Sequence, residues 1–194
     1  MPKQVQYTKD DIINASIEIL RFRGAEGLTA RAVGKRLGCS VGPLFRTFNN
    51  MDELMVSVRE KAEEIVRGRL AESVNYRPAF KEFGMRLIRF AKEEPNLFHF
   101  LFLEKGTRSY TADMIVEECL KQTAADFELT EEQANYIYEQ TWPYTCGLAQ
   151  MCCKNPELYT EKRISESLST MFAALLMLIK SNREVINVKP HLNV

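Results

Sequence analysis

The sequence predicts an all-α protein of about nine helices. Apolar residues recur every three or four positions along most of the 194-residue chain, whereas the β-branched alternations typical of strands are few. Proline, glycine and capping residues punctuate the chain at intervals that match helix lengths. We expect three short helices within residues 1–50 and a larger helical part over residues 51–194.

The first helix is predicted to begin after Thr8 and to end at Gly24. The hydroxyl of Thr8 and the carboxylate of Asp11 have the spacing of a capping box, in which each side chain accepts a backbone amide hydrogen bond at the helix start. The apolar positions that follow at helical spacing are Ile12, Ala15, Ile19 and Phe22.

Two shorter helices joined by a glycine turn are predicted next. Thr29 can cap the second helix, and Gly38 tolerates the left-handed backbone that a sharp reversal needs. We expect Ser40 to cap the third helix, with Pro43 in its first turn, where the missing amide proton has no intrahelical partner. The inward positions of the pair are Ala32, Val33, Leu37, Leu44 and Phe48.

Six further helices are expected in the rest of the chain. The Thr130 and Gln133 pair has capping-box spacing, and Pro78, Pro95 and Pro156 mark other boundaries. The predicted segments are 51–75, 78–92, 95–103, 108–126, 130–153 and 160–181.

The helix, turn and helix over residues 28–48 carry a recognisable pattern, Gly38-x-Ser40-x-x-x-Leu44-aromatic-x-x-Phe48. With the acidic-leucine segment Asn49-Asn-Met-Asp-Glu-Leu54 that follows it, this pattern resembles the TetR family of bacterial transcriptional regulators. The resemblance implies a three-helix DNA-binding domain over residues 1–50, and an effector-binding and dimerisation domain over residues 51–194. It also implies a homodimer in which the last two helices of each subunit pair across a two-fold axis.

The distribution of charge favours contact of the amino-terminal part with DNA. Residues 1–50 carry eight Lys or Arg residues against four acidic residues, although the formal net charge of the chain is zero. Helix amino ends and basic side chains hold phosphates, while the start of the third helix can reach base edges. The residues expected to contact DNA are Thr29, Arg31, Lys35, Arg36, Ser40, Val41, Gly42, Pro43, Phe45, Arg46, Thr47 and Asn50.

The last two predicted helices carry more apolar surface than one core face requires, so we expect them to form the dimer interface. A buried helix of a monomer is the alternative explanation of the same pattern. The interface residues expected are Gln150, Leu168, Met171, Phe172, Leu175 and Ile179.

Aromatic and flexible side chains in the middle of the chain suggest an apolar effector pocket. Taken alone, each of these residues is better explained by plain core packing. The segment Trp142-Pro-Tyr-Thr-Cys-Gly-Leu-Ala149 also resembles the Trp-x-x-x-His-Gly-Leu-Ala signature of one branch of the family, with Cys146 at the histidine position. The expected lining residues are Phe98, His99, Phe102, Tyr110, Met114, Trp142, Tyr144 and Cys146, with His99 as the polar anchor.

Other classes of protein are disfavoured. The sequence shows no nucleophile with a base and no metal-ligand spacing, and the adjacent pairs Glu93-Glu94 and Glu117-Glu118 splay apart on a helix, so we expect no enzyme, metal or cofactor. Five cysteines without a C-x-x-C pair argue against a disulfide framework, although a thiol or metal sensor around Cys146, Cys152 and Cys153 is conceivable.

The expected function is therefore that of a ligand-responsive, DNA-binding transcriptional regulator. In the resembled family such proteins are usually repressors that bind a palindromic operator as homodimers and are released by a small effector, here an apolar or amphipathic one. No stretch of eighteen apolar residues or signal-peptide layout is present, so we expect a cytoplasmic protein without a membrane partner. A helical protein–protein adaptor is the alternative, and salt-dependent DNA binding would distinguish the two.

Overall fold

The computed structural model describes residues 7–72, 76–104 and 110–181, and for residues 110–115 the backbone alone. Within those residues the chain is all-helical, with nine α-helices and no strand, as predicted. The helices are α1 (Lys9–Arg23), α2 (Ala30–Leu37), α3 (Gly42–Thr47), α4 (Met51–Ala71), α5 (Ala79–Glu93), α6 (Pro95–Phe102), α7 (Tyr110–Phe127), α8 (Glu131–Lys154) and α9 (Glu161–Lys180). A single 3₁₀ turn, Ala25–Gly27, follows α1.

The predicted capping residues begin three of these helices. Thr8 and Asp11 form the reciprocal capping box of α1, and Thr130 and Gln133 form that of α8. The hydroxyl of Thr29 accepts the amide of Ala32 at 3.2 Å and so caps α2. Local sequence therefore sets where the helices start.

Helix α5 lies at the centre of the carboxy-terminal part and packs against α4, α6, α7, α8 and α9. Its buried face includes Leu87, Ile88 and Phe90. At Gly84, a methyl group would lie 2.9 Å from Cδ1 of Leu168, so the glycine permits α9 to approach α5 closely.

One cluster of buried apolar side chains extends through the described chain. It runs from Leu20 in α1 through Val58 and Val66 in α4 to Leu97 in α6 and Leu168 in α9. The amino-terminal helices and the body therefore share a core, with α4 as the element that belongs to both.

Two expected interface residues lie inside the subunit instead. Leu168 is 0% exposed and packs against α5, and Phe172 is buried and stacks on Phe80 with ring centroids 5.4 Å apart. The apolar surplus of α9 is real, but these two positions face the subunit core, so their assignment to the dimer interface was wrong.

The expected inward position of Phe22 was also wrong, because its side chain is 85% exposed. The buried positions of α1 end at Ile19 and Leu20, and Arg23 in its last turn is exposed like Phe22. Phe22 therefore lies beyond the buried positions, on the outer surface.

Candidate nucleic-acid interface

The turn between α2 and α3 is built on two glycines. Gly38 ends α2 in the left-handed conformation, with φ of 71°. The carbonyl of Gly34 accepts a hydrogen bond from the amide of Cys39 at 2.9 Å, and a Cβ placed on Gly34 would lie 2.9 Å from the carbonyl oxygen of Cys39. The two helices can therefore meet this closely only because residue 34 has no side chain.

Helix α3 begins differently from the prediction. Val41, not Ser40, precedes its first residue, and no side chain caps this helix start. Val41 already has helical φ and ψ of −70° and −13°, whereas a side-chain cap needs an extended backbone at the capping position. Pro43 lies in the first turn, as predicted.

The two faces of α3 differ sharply in character. Leu44 and the adjoining Phe48 are buried in the core, whereas Val41, Phe45 and Arg46 are exposed. Gly42 is exposed as well, and the Thr47 hydroxyl donates back to the Pro43 carbonyl at 3.4 Å. The outer face thus offers short apolar groups, an aromatic ring and one guanidinium to a partner.

The basic residues around this face are not equivalent. The exposed side chains of Arg31, Lys35 and Arg46 form no ion pair with other described residues. Arg36, in contrast, pairs with Glu18 of α1. Three of the four basic residues expected to contact DNA are therefore available to bind phosphate.

The start of α4 lies directly after α3. The side-chain oxygen of Asn50 accepts the amide of Glu53 at 2.9 Å, which caps α4. The backbone and side-chain amides of Asn49 both donate to Glu53 at 2.8 Å, and these bonds hold the pKa of the Glu53 carboxyl below its usual range.

A polar joint connects the three amino-terminal helices to the body. Arg21 of α1 pairs with Glu94 at 2.9 Å, and the Asn96 side chain donates to the carbonyl of Arg21 at 2.6 Å. From α4, Arg59 donates to the carbonyl of Phe100 at 3.1 Å and covers its ring at 4.3 Å. Helix α6 is thereby attached both to α1 and to α4.

The expected effector residues are brought together only in part. Phe98, Phe102 and Trp142 form a chain of aromatic contacts, with successive centroid distances of 5.4 and 5.9 Å. Phe83 and Tyr138, which sequence reasoning missed, also contact Trp142, at 6.3 and 5.7 Å. Their only sequence signal was an apolar or aromatic residue at helical spacing, which does not reveal a partner on another helix.

Other members of that expected set lie elsewhere. His99 is on the exposed side of α6 and Tyr144 on the exposed side of α8, so neither side chain points into the interior, because each helix turns its opposite face inward. Cys146 is buried. The side chains of Tyr110 and Met114 lie outside the described residues.

The cysteines show no sign of reactive chemistry. All five are free thiols, and no group of three or more metal-ligating side chains occurs in the described ranges. Burial raises the pKa of Cys119 to about 11 and that of Cys146 to about 12, so both remain protonated at neutral pH. Among the described helices, none is both long and apolar enough to cross a membrane.

Comparison with known proteins agrees with this geometry. Residues 12–58 match the family model of bacterial regulatory proteins of the tetR family. The HTH-type transcriptional regulator PksA of Bacillus subtilis (strain 168) is 34% identical over 74 residues, which cover 37% of this chain and 36% of PksA. The match thus spans about a third of the length of that curated relative.

Solved structures share the fold along nearly the whole described chain. A putative TetR family transcriptional regulator from Vibrio parahaemolyticus has a TM-score of 0.60 at 16% identity, covering 86% of this chain and 97% of the other. BioQ with its double-stranded DNA operator has a TM-score of 0.61 at 19% sequence identity, covering 88% of this chain and 99% of the other. A TetR variant from Acinetobacter baumannii AYE in complex with minocycline has a TM-score of 0.58 at 17% sequence identity, covering 93% of this chain and 98% of the other.

A helix-turn-helix with an exposed basic face, mounted on an all-helical body, is the architecture of DNA-binding regulatory proteins. Residues 12–58 carry the DNA-binding domain of the TetR family of transcriptional regulators.

Proposed function

We propose that this regulator is a repressor that binds a palindromic operator as a homodimer and leaves it when a small apolar or amphipathic effector binds the body. The observation that carries the proposal is the outer face of α3, where Phe45 and Arg46 are exposed beside the buried Leu44. A helix that buries one face in the core and exposes the opposite face to solvent can enter the major groove.

In this proposal each part of the interface has its own task. Arg31, Lys35 and the amino end of α2 at Thr29 hold phosphates and so set the register on DNA. Val41, Gly42, Pro43 and Phe45 meet base edges or thymine methyl groups, and Arg46 reaches a guanine edge or a phosphate. Thr47 and Asn50 contact the DNA backbone at the edge of the interface, and Ser40 lies in the turn. Arg36 contacts DNA only when its ion pair with Glu18 is broken.

A dimer is supported by the outer surface of α8 and α9. Tyr144, Gly147 and Met151 are exposed along α8, and Met177 of α9 is 74% exposed. Gln150, Met171, Leu175 and Ile179 are half-buried, and Leu175 and Ile179 also pack against the buried cluster that contains Phe172. Neighbouring helices that expose apolar side chains together are typical of an association surface, and two-fold pairing there would present two copies of α3 to DNA.

Control by an effector is supported by the joint at α6. This helix contributes Phe98 and Phe102 to the Trp142 cluster and also contacts α1 through Asn96. A ligand that shifts α6 would change the position of α1 and α4, and with them the separation of the two recognition helices. The free energy by which the ligand shifts the balance between the DNA-binding and the released state equals the difference between its binding free energies for those two states. BioQ bound to its operator and the TetR variant bound to minocycline, both similar in fold, make DNA and ligand binding reasonable expectations here.

Selection of bound sequences from a random duplex library tests DNA recognition. We expect a palindrome whose half-site centres lie about 34–36 Å apart, and a slope of several units when log affinity is plotted against log salt concentration. Arg46→Ala should weaken binding to the selected duplex, whereas Arg163→Ala in α9 should leave it unchanged. A failure to enrich any sequence, with salt-insensitive binding, would favour the adaptor instead.

Met177→Glu tests the dimer surface. Placing a carboxylate at this exposed apolar position should convert the dimer to monomers at micromolar concentration, because two charges would be buried across the two-fold axis. Sedimentation velocity measures the mass, and circular dichroism confirms that the subunit remains helical. Val56→Glu is the matched control, since Val56 is also exposed but lies on α4. A Met177→Glu protein that sediments like wild type would contradict this interface.

A further inference from the structure

A groove runs between α7 and α8 on the surface of the body. The two helices are joined by the short segment 128–130 and pack against each other, and the groove between them has a volume of about 700 Å³. Its apolar lining includes Val116 and Leu120 from α7 and Ala134 and Tyr138 from α8. Small-molecule sites have volumes of roughly 300–1,000 Å³, so this α7–α8 groove is of a size that suits one small ligand.

The rim of the α7–α8 groove is acidic. The described residues that line it include three carboxylates, from Glu117, Glu131 and Glu139, and one ammonium group, from Lys121. Lys121 pairs with Glu117 at 2.7 Å, whereas Glu131 and Glu139 form no ion pair with other residues that the structure describes. The rim therefore carries a surplus of two negative charges beside apolar side chains, and this combination complements an amphipathic cation.

Tyr138 connects the α7–α8 groove to the aromatic cluster of the interior. Its side chain lines the groove and contacts Trp142, with ring centroids 5.7 Å apart. Trp142 in turn contacts Phe102 of α6 at 5.9 Å and Phe83 of α5 at 6.3 Å. One aromatic side chain thus belongs both to the groove and to the cluster that includes α6.

The α7–α8 groove lies away from the dimer surface proposed above. Glu131 and Tyr138 lie on one face of α8, nearly two helical turns apart. Gly147 and Met151 of the proposed dimer surface lie on roughly the opposite face of the same helix. Pairing through α8 and α9 would therefore leave the groove accessible to a ligand.

We propose that the α7–α8 groove binds an amphipathic organic cation, whose hydrocarbon part covers Leu120 and Ala134 and whose ammonium group lies near Glu131 and Glu139. This inference rests on the proposed function, because it assigns the effector a charge and a place. A neutral molecule would gain the apolar contacts without the attraction of the rim. An anion would be repelled by the surplus of carboxylates.

The position of Tyr138 gives the cation a route to the DNA-binding helices. A hydrocarbon chain in the groove packs against Tyr138 and so acts on Trp142 and, through it, on Phe102 of α6. Helix α6 is attached to α1 through Asn96 and to α4 through Arg59. A ligand on the surface of the body is therefore linked by successive contacts to the helices that carry α3.

Three eight-carbon probes with different head groups test the inference on the full-length protein. Octylammonium, octanol and octanoate present a cation, a neutral group and an anion on the same hydrocarbon chain. Isothermal titration at low salt should show the highest affinity for octylammonium, and added salt should reduce its advantage because the rim is exposed. Trp142 is the single tryptophan of the chain and contacts Tyr138, so its fluorescence should change when octylammonium binds.

Two substitutions in the rim should change octylammonium affinity in opposite directions. Glu139→Gln should weaken octylammonium binding about two- to fivefold, the range for one exposed ion pair, and leave octanol binding unchanged. Lys121→Gln removes the ammonium group of the described rim and should strengthen octylammonium binding by a similar factor. Glu157→Gln is the matched control, because it removes an exposed carboxylate beyond the carboxy end of α8 and should change neither affinity.

Four results would overturn the inference. The first is a wild-type protein that shows no preference for octylammonium, including one that binds no probe. The second is a Glu139→Gln protein whose affinities match those of Glu157→Gln. The third is a Lys121→Gln protein that binds octylammonium more weakly than wild type. The fourth is a change of mass in sedimentation velocity caused by Glu139→Gln, which would assign the groove to a contact between copies of the chain.

These readouts contain no DNA, so their failure is distinguishable from failure of operator binding, which the selected duplex tests independently. Addition of octylammonium to the protein–duplex complex then tests release. Octylammonium that binds with the expected variant effects but leaves the duplex bound would support the site and contradict effector release in the proposed function.

Discussion

Replacing Leu168 with alanine should destabilise the subunit by about 2–5 kcal/mol, the range for deleting a fully buried leucine side chain. Leu168 has no exposed surface and lies against Gly84, where α5 and α9 approach most closely. Because a glycine already stands opposite, no larger neighbouring side chain at that point can move in to fill the space. The cavity should therefore persist and the loss should fall in the upper part of the range.

Denaturant unfolding at equal protein concentration measures this loss, since dimer formation would make the apparent stability depend on concentration. Leu158→Ala serves as control, because Leu158 is more than half exposed and its truncation should change stability by less than about 0.5 kcal/mol. A Leu168→Ala protein as stable as this control would show that Leu168 contributes little to the core.

Gly34→Ala should damage the helix-turn-helix itself. The added methyl group would stand 2.9 Å from the carbonyl oxygen of Cys39, which is backbone and cannot rotate away as a side chain can. Relief requires α2 and the turn to separate, at a cost of roughly 1–3 kcal/mol for an overpacked contact. Since this turn sets the direction of α3, we expect affinity for the selected duplex to fall by at least about tenfold, the equivalent of 1.4 kcal/mol.

Gly68→Ala gives a matched comparison for that substitution. A methyl group at Gly68 in α4 would meet no atom within 4 Å, and alanine is favoured over glycine in a helix by roughly 0.5–1 kcal/mol. Gly68→Ala should therefore raise the free energy of unfolding and leave DNA affinity unchanged. If Gly34→Ala behaved in the same way, the close contact between α2 and the turn would not restrict residue 34.

The sequence predicted the helices well because helix starts depend on local chemistry. Thr8, Thr29 and Thr130 each cap the helix that follows them, as their spacing indicated. Ser40 was wrong because the turn after Gly38 carries Val41 into helical geometry without a capping side chain. A capping residue can be predicted where a residue with an extended backbone precedes the helix. The sequence does not reveal where a tight turn takes the place of that extended residue.

Assignments to one face of a helix were less successful, because periodicity shows that a face is apolar but not what covers it. In α9, Leu168 and Phe172 turned out to face α5, while Met177 of the same helix is exposed. The contact between Phe83 and Trp142 could not be found from the sequence at all. The two residues lie on different helices, and periodicity along one helix does not reveal its partner on another.

The core shared by the amino-terminal helices and the body has an evolutionary consequence. Because Leu20, Val58 and Leu97 belong to one buried cluster, the helix-turn-helix and the body that we propose to bind the effector draw on a single margin of stability. A substitution that adapts the body to a new ligand also reduces the fraction of molecules able to occupy an operator. We expect changes of ligand specificity in such a protein to become established together with stabilising substitutions elsewhere in the chain.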